Sequence, residues 1–259
     1  MLHISCTGTR YGGRHAPSHF TLCESPSEQP AAFAAIRPHF QPIVASRSHA
    51  LFAVEALLRL PAMTTSCEPL VRQWEASGEV VKIDILMVRR VAAALRRFTL
   101  GLPLRVGVNV SALTVALIPD QYLRELEHLT KVASGVIVEV TETYPIHDIG
   151  ALLYFARKCS ALGVRIALDD CKPQHVFSSP WLVSWVRPDI IKIDGALLCQ
   201  CFEQQSVEPV AEIIRLARSI GAAVVAEHIE SKVMGDWACN LGAGFMQGYY
   251  FGTPQPLHG

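Results

Sequence analysis

Short apolar runs alternate with segments of helical periodicity along this chain from Phe40 to Phe251. The runs are rich in Val, Ile and Leu and are nearly continuous, which is typical of strands that are buried on both faces of a sheet. The segments between them repeat apolar residues at three- and four-residue intervals, as amphipathic helices do. Strand–helix units of this kind fold into one of two α/β architectures, an open doubly wound sheet or a closed barrel.

The number of strands favours the barrel, because about seven such runs follow a further apolar run at Phe40–Ala45. The predicted strands are Val54–Leu58, Leu104–Val110, Gly135–Thr141, Val164–Leu168, Asp189–Ile193, Ala222–Ala226 and Phe245–Phe251. The predicted helices are Val80–Phe98, Pro119–Val132, Ile146–Leu162, Glu208–Ile220 and Ser231–Leu241. Before the first run, Thr7–Pro30 mixes Gly, Ser, Pro, His and Arg without a period. We therefore expect a flexible tail over residues 1–30 and one barrel domain over residues 31–259.

Composition excludes several classes of protein. The chain has 259 residues, of which 50% are apolar and 18% charged, and 23 basic residues balance 23 acidic ones. A disordered chain would be more polar and more charged, and a protein that binds nucleic acid through phosphates usually has a basic excess. The sequence contains no apolar stretch of the roughly 20 residues that a membrane span needs, and its N-terminus does not resemble a signal peptide. We expect a cytoplasmic protein whose eight cysteines are reduced thiols rather than zinc ligands.

Polar side chains fall within these apolar runs or at their C-terminal ends. In a parallel barrel the C-terminal ends of the strands meet at one face, where such enzymes place their chemistry. A single aspartate after a strand is more often a helix N-cap, but six successive units with a polar group at the same point indicate a site. The residues in question are Glu55, Asn109, Glu139, Glu142, Asp169, Asp170, Lys192, Asp194, Glu227, Glu230 and Gln247.

So many carboxylates repel one another and lose hydration, and Lys192 alone cannot neutralise them. Divalent cations can, and oxygen ligands with one amide favour Mg²⁺ or Mn²⁺ over zinc. The adjacent Asp169 and Asp170 suit two ions, since one carboxylate can bridge both while its neighbour holds the second. Two such ions are the usual apparatus for hydrolysing a phosphodiester. The residues alone therefore predict a two-metal phosphohydrolase.

Eight motifs in order resemble the EAL-domain phosphodiesterases of bacterial cyclic di-GMP signalling. They are QPIV (residues 41–44), EALLR (55–59), NVS (109–111), EVTET (139–143), LDD (168–170), IKID (191–194), AEHIE (226–230) and QGYYFGTPQP (247–256). The resemblance implies a modified TIM (β/α)8 barrel with one antiparallel strand. It also implies hydrolysis of cyclic di-GMP to linear pGpG, and so an effect on motility, biofilm formation or virulence. The balanced charge and the absence of a long apolar stretch predict no direct binding to nucleic acid and no membrane span.

The resemblance also assigns roles to the site residues. It implies that the first Mg²⁺ or Mn²⁺ ion is held by Glu55, Asn109, Glu139 and Asp169, and the second by Asp169, Asp170 and Glu227. Lys192 would orient or deprotonate the attacking water, and Glu230 and Gln247 would support the site or face the substrate. Gln41, Leu57, Arg59 and Asp194 are implied as substrate contacts, with Arg59 suited to bidentate contact with a phosphate. Glu142 resembles the residue that anchors the loop after the paired aspartates.

That loop departs from the family pattern, in which the paired aspartates precede Phe-Gly-(Thr or Ala)-Gly-Tyr-Ser-Ser. Here residues 171–179 read CKPQHVFSS, two residues longer, with both glycines absent and Pro173 in the turn. Lys or Gln would adopt the backbone angles of those glycines only with strain. The family often dimerises near this loop, so the sequence leaves open whether the chain forms a homodimer.

Three functions therefore remain open. The first is an active cyclic di-GMP phosphodiesterase, which the full ligand set favours. The second is a catalytically weak or inactive receptor for cyclic di-GMP or a protein-binding regulator of gene expression, which the altered loop favours. The third is an unrelated metal phosphohydrolase on the same barrel. The co-occurrence of EALLR and the QGYYFGTPQP tail argues against the third.

Overall fold

The structure, a computed structural model, describes residues 31–60, 67–98 and 104–257. The predicted tail over residues 1–30 lies outside the described residues, as do the last two residues of the predicted domain. The strands are β1 (Arg37–Ala45), β2 (Leu51–Arg59), β3 (Arg105–Ser111), β4 (Gly135–Thr141), β5 (Arg165–Cys171), β6 (Ile190–Ile193), β7 (Ala223–Ala226) and β8 (Phe245–Gln247). The helices are α1 (Ala31–Ala35), α2 (Glu68–Ser77), α3 (Val80–Arg97), α4 (Ala112–Leu117), α5 (Pro119–Thr130), α6 (Ile149–Ala161), α7 (Pro180–Val186), α8 (Gly195–Glu203), α9 (Glu208–Ile220) and α10 (Lys232–Leu241).

These eight strands close into a barrel in sequence order, which confirms the predicted fold class. β1 pairs antiparallel with both β2 and β8, whereas the pairs from β2 through to β8 are parallel. Reversing β1 alone lets the first two strands form a hairpin and still close the sheet. The carboxyl ends of β2 to β8 therefore meet at one end of the barrel, as the sequence predicts.

A layer of apolar side chains fills the barrel interior and supports that end. The layer comprises Ile43, Ala53, Ile137, Ala167, Ile190 and Val225, each at most 2% exposed. The outer helices cover the other face of the sheet; α9 buries Val210, Ile213, Ile214 and Ala217, which follow the helical period seen in the sequence. This packed layer supports the carboxyl ends of the strands from below.

The predicted last strand, Phe245–Phe251, is too long: β8 ends at Gln247. The chain turns at Gly248, because the amides of Phe251 and Gly252 donate back to its carbonyl at 3.1 and 3.2 Å. A Cβ at Gly248 would overlap the backbone of Ile229, so glycine is required for this close approach. The run of aromatic residues after Gln247 reads as a strand in the sequence, but Tyr249 and Tyr250 are exposed in a turn.

The described cysteines, at positions 67, 159, 171, 199, 201 and 239, are free thiols. Within the described ranges, no helix combines the length and the apolar character that crossing a membrane would require.

Candidate functional site

One cavity of about 870 Å³ opens at the carboxyl ends of the strands. Its wall contains every site residue predicted from the sequence except Glu139, which is 1% exposed and lies beneath Lys192. The residues that line it are Gln41, Glu55, Leu57, Arg59, Asn109, Glu142, Asp169, Asp170, Lys192, Asp194, Glu227, Glu230 and Gln247. The structure thus brings together residues that are up to about 200 positions apart in the sequence.

Lys192 lies at the centre of the acidic cluster, and its side chain is 2% exposed. Its ammonium contacts four carboxylates, from β2, β4, β5 and the residue that follows β7. The distances from Nζ are 3.2 Å to Glu55, 2.6 Å to Glu139, 2.9 Å to Asp169 and 2.7 Å to Glu227. Burial alone would lower the pKa of Lys192, but the four carboxylates together hold that pKa well above its usual value. Lys192 is therefore a cation and a hydrogen-bond donor in this arrangement.

Two amide side chains hold Glu55 in place. Asn109 Nδ2 donates to Glu55 Oε1 at 2.8 Å, and Gln247 Nε2 donates to Glu55 Oε2 at 2.8 Å. Gln247 Nε2 also lies 3.1 Å from Gln41 Oε1, and Gln41 Nε2 donates to the Gly252 carbonyl at 3.1 Å. Burial tends to raise the pKa of Glu55, but Lys192 and the two amides outweigh it and lower that pKa. Glu55 is thus a fixed carboxylate.

Asp169 and Asp170 both reach the cavity although they are neighbours on one strand, where successive side chains normally point to opposite faces. An irregularity in the pairing of β5 with β6 between Leu168 and Cys171 makes this possible. Asp170 has a φ of 46°, a left-handed conformation that Asp tolerates better than most residues. One ligand atom from each of Asp169, Asp170 and Glu227 lies within 4.8 Å of the others, close enough to share an ion.

Burial and mutual repulsion give these carboxyl groups unusual pKa values. Burial, together with the charge of Glu55, raises the pKa of Glu139 to about 8 against the opposing effect of Lys192. Burial and the charges of Asp169 and Glu142 raise the pKa of Asp170 to about 7. Burial likewise holds the pKa of Glu227 well above its usual range. The protein alone therefore does not fully compensate the acidic cluster.

The donor set fits divalent cations. Within the described part of the chain, buried Asn109 Oδ1 and Gln247 Oε1 accept no hydrogen bond. Among the same residues, Glu139 Oε2 and Asp169 Oδ1 are paired with the Lys192 ammonium alone, at 2.6 and 2.9 Å. Buried oxygens without partners are costly, and they converge here with carboxylates that repel one another. Oxygen donors in this state are suited to Mg²⁺ or Mn²⁺.

The residues at the rim of the cavity are less constrained. Arg59 Nη1 donates to the Leu58 carbonyl at 2.8 Å, which orients its guanidinium along the end of β2. Leu57 is partly exposed on the same strand, and Glu230 is exposed beyond β7. Burial raises the pKa of Glu142, and Asp169 adds to this effect. The role of Glu142 as a loop anchor stays a prediction.

Sequence reasoning missed a buried polar network beside the site. Glu75 of α2 and Asp84 of α3 are 4% and 8% exposed. Glu75 Oε1 accepts hydrogen bonds from Ser111 Oγ and Thr143 Oγ1, both at 2.7 Å. Asp84 Oδ2 accepts from the Ser111 amide at 3.0 Å and from Thr114 Oγ1 at 2.5 Å. The network joins helices of the cavity wall to the ends of β3 and β4. The sequence signal that could have revealed it is the presence of two acidic residues, Glu75 and Asp84, on the apolar faces of these helices.

The loop after Asp170, residues 171–179, forms a tight turn. The His175 amide donates to the Lys172 carbonyl at 3.1 Å, across Pro173 and Gln174. Gln174 has a φ of 65°, so a non-glycine residue adopts a left-handed conformation here, as the absence of glycine predicts. Cys171 and Phe177 are fully buried beneath the turn, and Lys172 lies on its cavity side.

A profile of the EAL domain matches residues 31–254. The chain belongs to the EAL domain family. The bifunctional diguanylate cyclase/cyclic di-GMP phosphodiesterase MucR of Pseudomonas aeruginosa is 28% identical over 229 residues, 84% of this chain and 33% of MucR. The cyclic di-GMP phosphodiesterase PdeF of Escherichia coli is 31% identical over 156 residues, 59% of this chain and 21% of PdeF. The chain thus spans about a third or less of the length of these two EAL relatives.

Solved structures of EAL proteins share this barrel. The PaMucR phosphodiesterase, in a complex with c-di-GMP, superposes with a TM-score of 0.72 at 27% identity, over 86% of this chain and 97% of that chain. The EAL domain of Mycobacterium smegmatis DcpA matches with a TM-score of 0.67 at 21% identity, over 86% of this chain and 92% of that chain, which supports the fold alone.

Proposed function

We propose that this EAL protein hydrolyses cyclic di-GMP to linear pGpG and so lowers the second messenger in bacterial signalling, where motility, biofilm formation and virulence respond to it. The observation that carries the proposal is the convergence of Glu55, Asn109, Asp169, Asp170 and Glu227 on one cavity, in which the buried Asn109 Oδ1 accepts no hydrogen bond from the described residues. EAL relatives named as cyclic di-GMP phosphodiesterases support the choice of substrate. A cytoplasmic location stays a prediction.

Each part of the cluster has a task in this reaction. Glu55, Asn109, Glu139 and Asp169 would hold one Mg²⁺ or Mn²⁺ ion, and Asp169, Asp170 and Glu227 a second. Two such ions, when bound, make a water molecule more acidic and neutralise charge on the phosphate. Gln247 and Asn109 keep Glu55 in position through their 2.8 Å hydrogen bonds. A fixed ligand frame matters because a misplacement of about 1 Å can cost on the order of a hundredfold in rate.

Lys192 and the rim residues act on the substrate side. Lys192 is held as a cation by its four carboxylates, so we assign it to orienting the attacking water and offsetting phosphate charge rather than to removing a proton. Arg59, with one nitrogen held by the Leu58 carbonyl, would present its guanidinium to a phosphate. Leu57, Gln41, Asp194 and Glu230 would contact the dinucleotide or support residues that do.

A turnover assay tests the proposal directly. Purified protein is incubated with cyclic di-GMP and either MnCl₂ or MgCl₂, and pGpG is separated by chromatography. We expect pGpG from the wild type and a loss of about a hundredfold or more in Asp170→Ala, which removes a carboxylate of the cluster. Asp236→Ala is the matched control, because Asp236 is an exposed aspartate of α10 paired with Lys232. Product no greater from the wild type than from Asp170→Ala would exclude the proposal.

A second candidate, a non-catalytic receptor or protein-binding regulator, is favoured by the surface beside the loop of residues 171–179. Helix α7 follows this loop directly and carries Trp181 and Trp185, which are 48% and 66% exposed. Exposed aromatic side chains of this size often serve protein contacts, with a partner protein or with a second copy of the chain. Calorimetry that detects tight binding of cyclic di-GMP without pGpG formation would favour this candidate over the enzyme.

A further inference from the structure

Lys172 places a positive charge at the mouth of the acidic cavity. Its Nζ lies 3.0 Å from Asp194 Oδ2, and its side chain is 46% exposed while that of Asp194 is 12% exposed. Lys172 lines the same cavity as Asp170 and Glu142, and both carboxylates interact electrostatically with its ammonium. This charge comes from a position where the EAL pattern has glycine.

Asp194 pairs with the ammonium of Lys172, and the turn fixes its backbone. Asp194 Oδ1 accepts the Leu197 amide at 2.7 Å and caps α8, so the partner of Lys172 is itself fixed. The Lys172 carbonyl accepts the His175 amide at 3.1 Å, which closes the turn over Pro173. The preceding residue, Cys171, is fully buried. Lys172 therefore has less freedom to swing away than an ordinary surface lysine.

A fixed positive charge beside a metal site lowers the affinity of that site for cations. The positive charge of Lys172 repels a divalent ion and offsets the attraction that Asp194 exerts on that ion. This weakens metal binding at Asp169, Asp170 and Glu227, which line the same cavity. Since Lys172 is partly exposed, salt reduces the effect without abolishing it.

We propose that Lys172 lowers the affinity of the Asp169–Asp170–Glu227 cluster for divalent cations and so sets the concentration of Mn²⁺ or Mg²⁺ that the site requires. This inference rests on the proposed function, because it takes that cluster to be the metal site. Lys172 is a tuning residue: it touches neither the metal ligands nor the reacting atoms, and it acts through charge.

Calorimetric titration of the nucleotide-free full chain with MnCl₂ tests the inference. Lys172→Met should bind Mn²⁺ about three- to tenfold more tightly than the wild type, and the ratio should shrink as NaCl is raised. Lys172→Arg keeps the charge and should bind like the wild type. Lys131→Met is the matched control: Lys131 pairs with Glu127 at 3.4 Å and precedes the start of β4, at the opposite end of the barrel.

Every outcome of this titration decides the point. Tighter binding by Lys172→Met alone, or Mn²⁺ binding by that variant where the wild type shows none, supports the inference. Equal or weaker binding by Lys172→Met, or tightening in Lys131→Met as well, overturns it. Circular dichroism verifies that each variant is folded, and Lys172→Gln replaces the methionine variant if that one is not. Hydrolysis of cyclic di-GMP at saturating Mn²⁺ separates the two proposals. If the wild type forms pGpG but Lys172→Met binds Mn²⁺ no more tightly, only this inference fails. If Lys172→Met binds Mn²⁺ more tightly but no pGpG forms, only the proposed hydrolysis fails.

Discussion

Gln174 adopts a left-handed backbone conformation, with a φ of 65°, in the turn after the paired aspartates. A residue with a Cβ loses on the order of 1 kcal/mol in this region, because Cβ approaches the following carbonyl oxygen, whereas glycine adopts it freely. Gln174→Gly should therefore raise the free energy of unfolding by up to about 1 kcal/mol, after allowing for the greater freedom of glycine in the unfolded chain. Urea denaturation followed by circular dichroism measures the difference.

A pair of neighbouring glutamines provides the control. Gln205 has a φ of 54° and should respond to glycine as Gln174 does, whereas Gln204 has a φ of −83°. Gln204→Gly should lower the free energy of unfolding by roughly 0.5–1 kcal/mol, because glycine gains no relief there and loses more entropy on folding. A lower stability for Gln174→Gly would mean that the glutamine side chain stabilises the loop.

At the scale of elements, the buried network of Glu75 and Asp84 joins α2 and α3 to the ends of β3 and β4. Burial raises the pKa of Asp84 to about 7, against the hydrogen bonds that it accepts from Thr114 and Ser111. Since the folded pKa exceeds the unfolded value near 3.8, folding favours the neutral acid, and stability is lost as the pH rises from about 4 to about 7. Asp84→Asn mimics the neutral acid and should remove this loss.

Chemical denaturation at pH 5 and pH 8 measures this loss of unfolding free energy. Relative to the wild type, Asp84→Asn should gain on the order of 2 kcal/mol in unfolding free energy between the two pH values. Asp148→Asn is the matched control, because Asp148 is an exposed N-cap of α6 and asparagine also caps helices. A pH dependence in Asp84→Asn equal to that of the wild type would mean that Asp84 is ionised in the folded protein at no cost.

Individual strands and helices show how much of the fold the sequence predicts. β4 and α9 have the predicted bounds, because continuous β-branched residues and a strict apolar period specify them locally. Most of the cavity residues follow from the rule that parallel strand ends meet. Gln41, Leu57 and Arg59 follow from the resemblance to the EAL family instead. The pairing of Lys172 with Asp194 and the sharing of Glu75 between Ser111 and Thr143 depend on how distant elements approach. The left-handed conformation of Asp170 likewise depends on the irregular pairing of β5 with β6. That conformation lets two neighbouring aspartates face the same cavity.

Across the whole molecule, charge is distributed unevenly behind a formal net charge of zero. Glu139 and nine carboxylates of the cavity wall, Glu55, Glu68, Asp84, Glu142, Asp169, Asp170, Asp194, Glu227 and Glu230, gather at one end of the barrel. The rest of the sequence consequently carries a small excess of basic residues. Such a concentration of buried acid opposes folding until a cation is present, so the site should lower the stability of the metal-free protein.

The melting temperature of Asp170→Asn in the full chain tests whether the acidic site lowers the stability of the metal-free protein. Without metal the variant should melt a few °C above the wild type, because it removes repulsion with Asp169 and Glu142 and because asparagine tolerates the φ of 46°. For a chain of this size a gain of about 1 kcal/mol corresponds to roughly 2–4 °C. Saturating Mn²⁺ should raise the melting temperature of the wild type by mass action and that of Asp170→Asn by much less. Asp236→Asn, on the outer helix α10, should match the wild type with and without Mn²⁺. A variant that melts lower without metal would show that repulsion at Asp170 does not destabilise the protein. A variant that keeps the full Mn²⁺ shift would show that Asp170 is not a ligand.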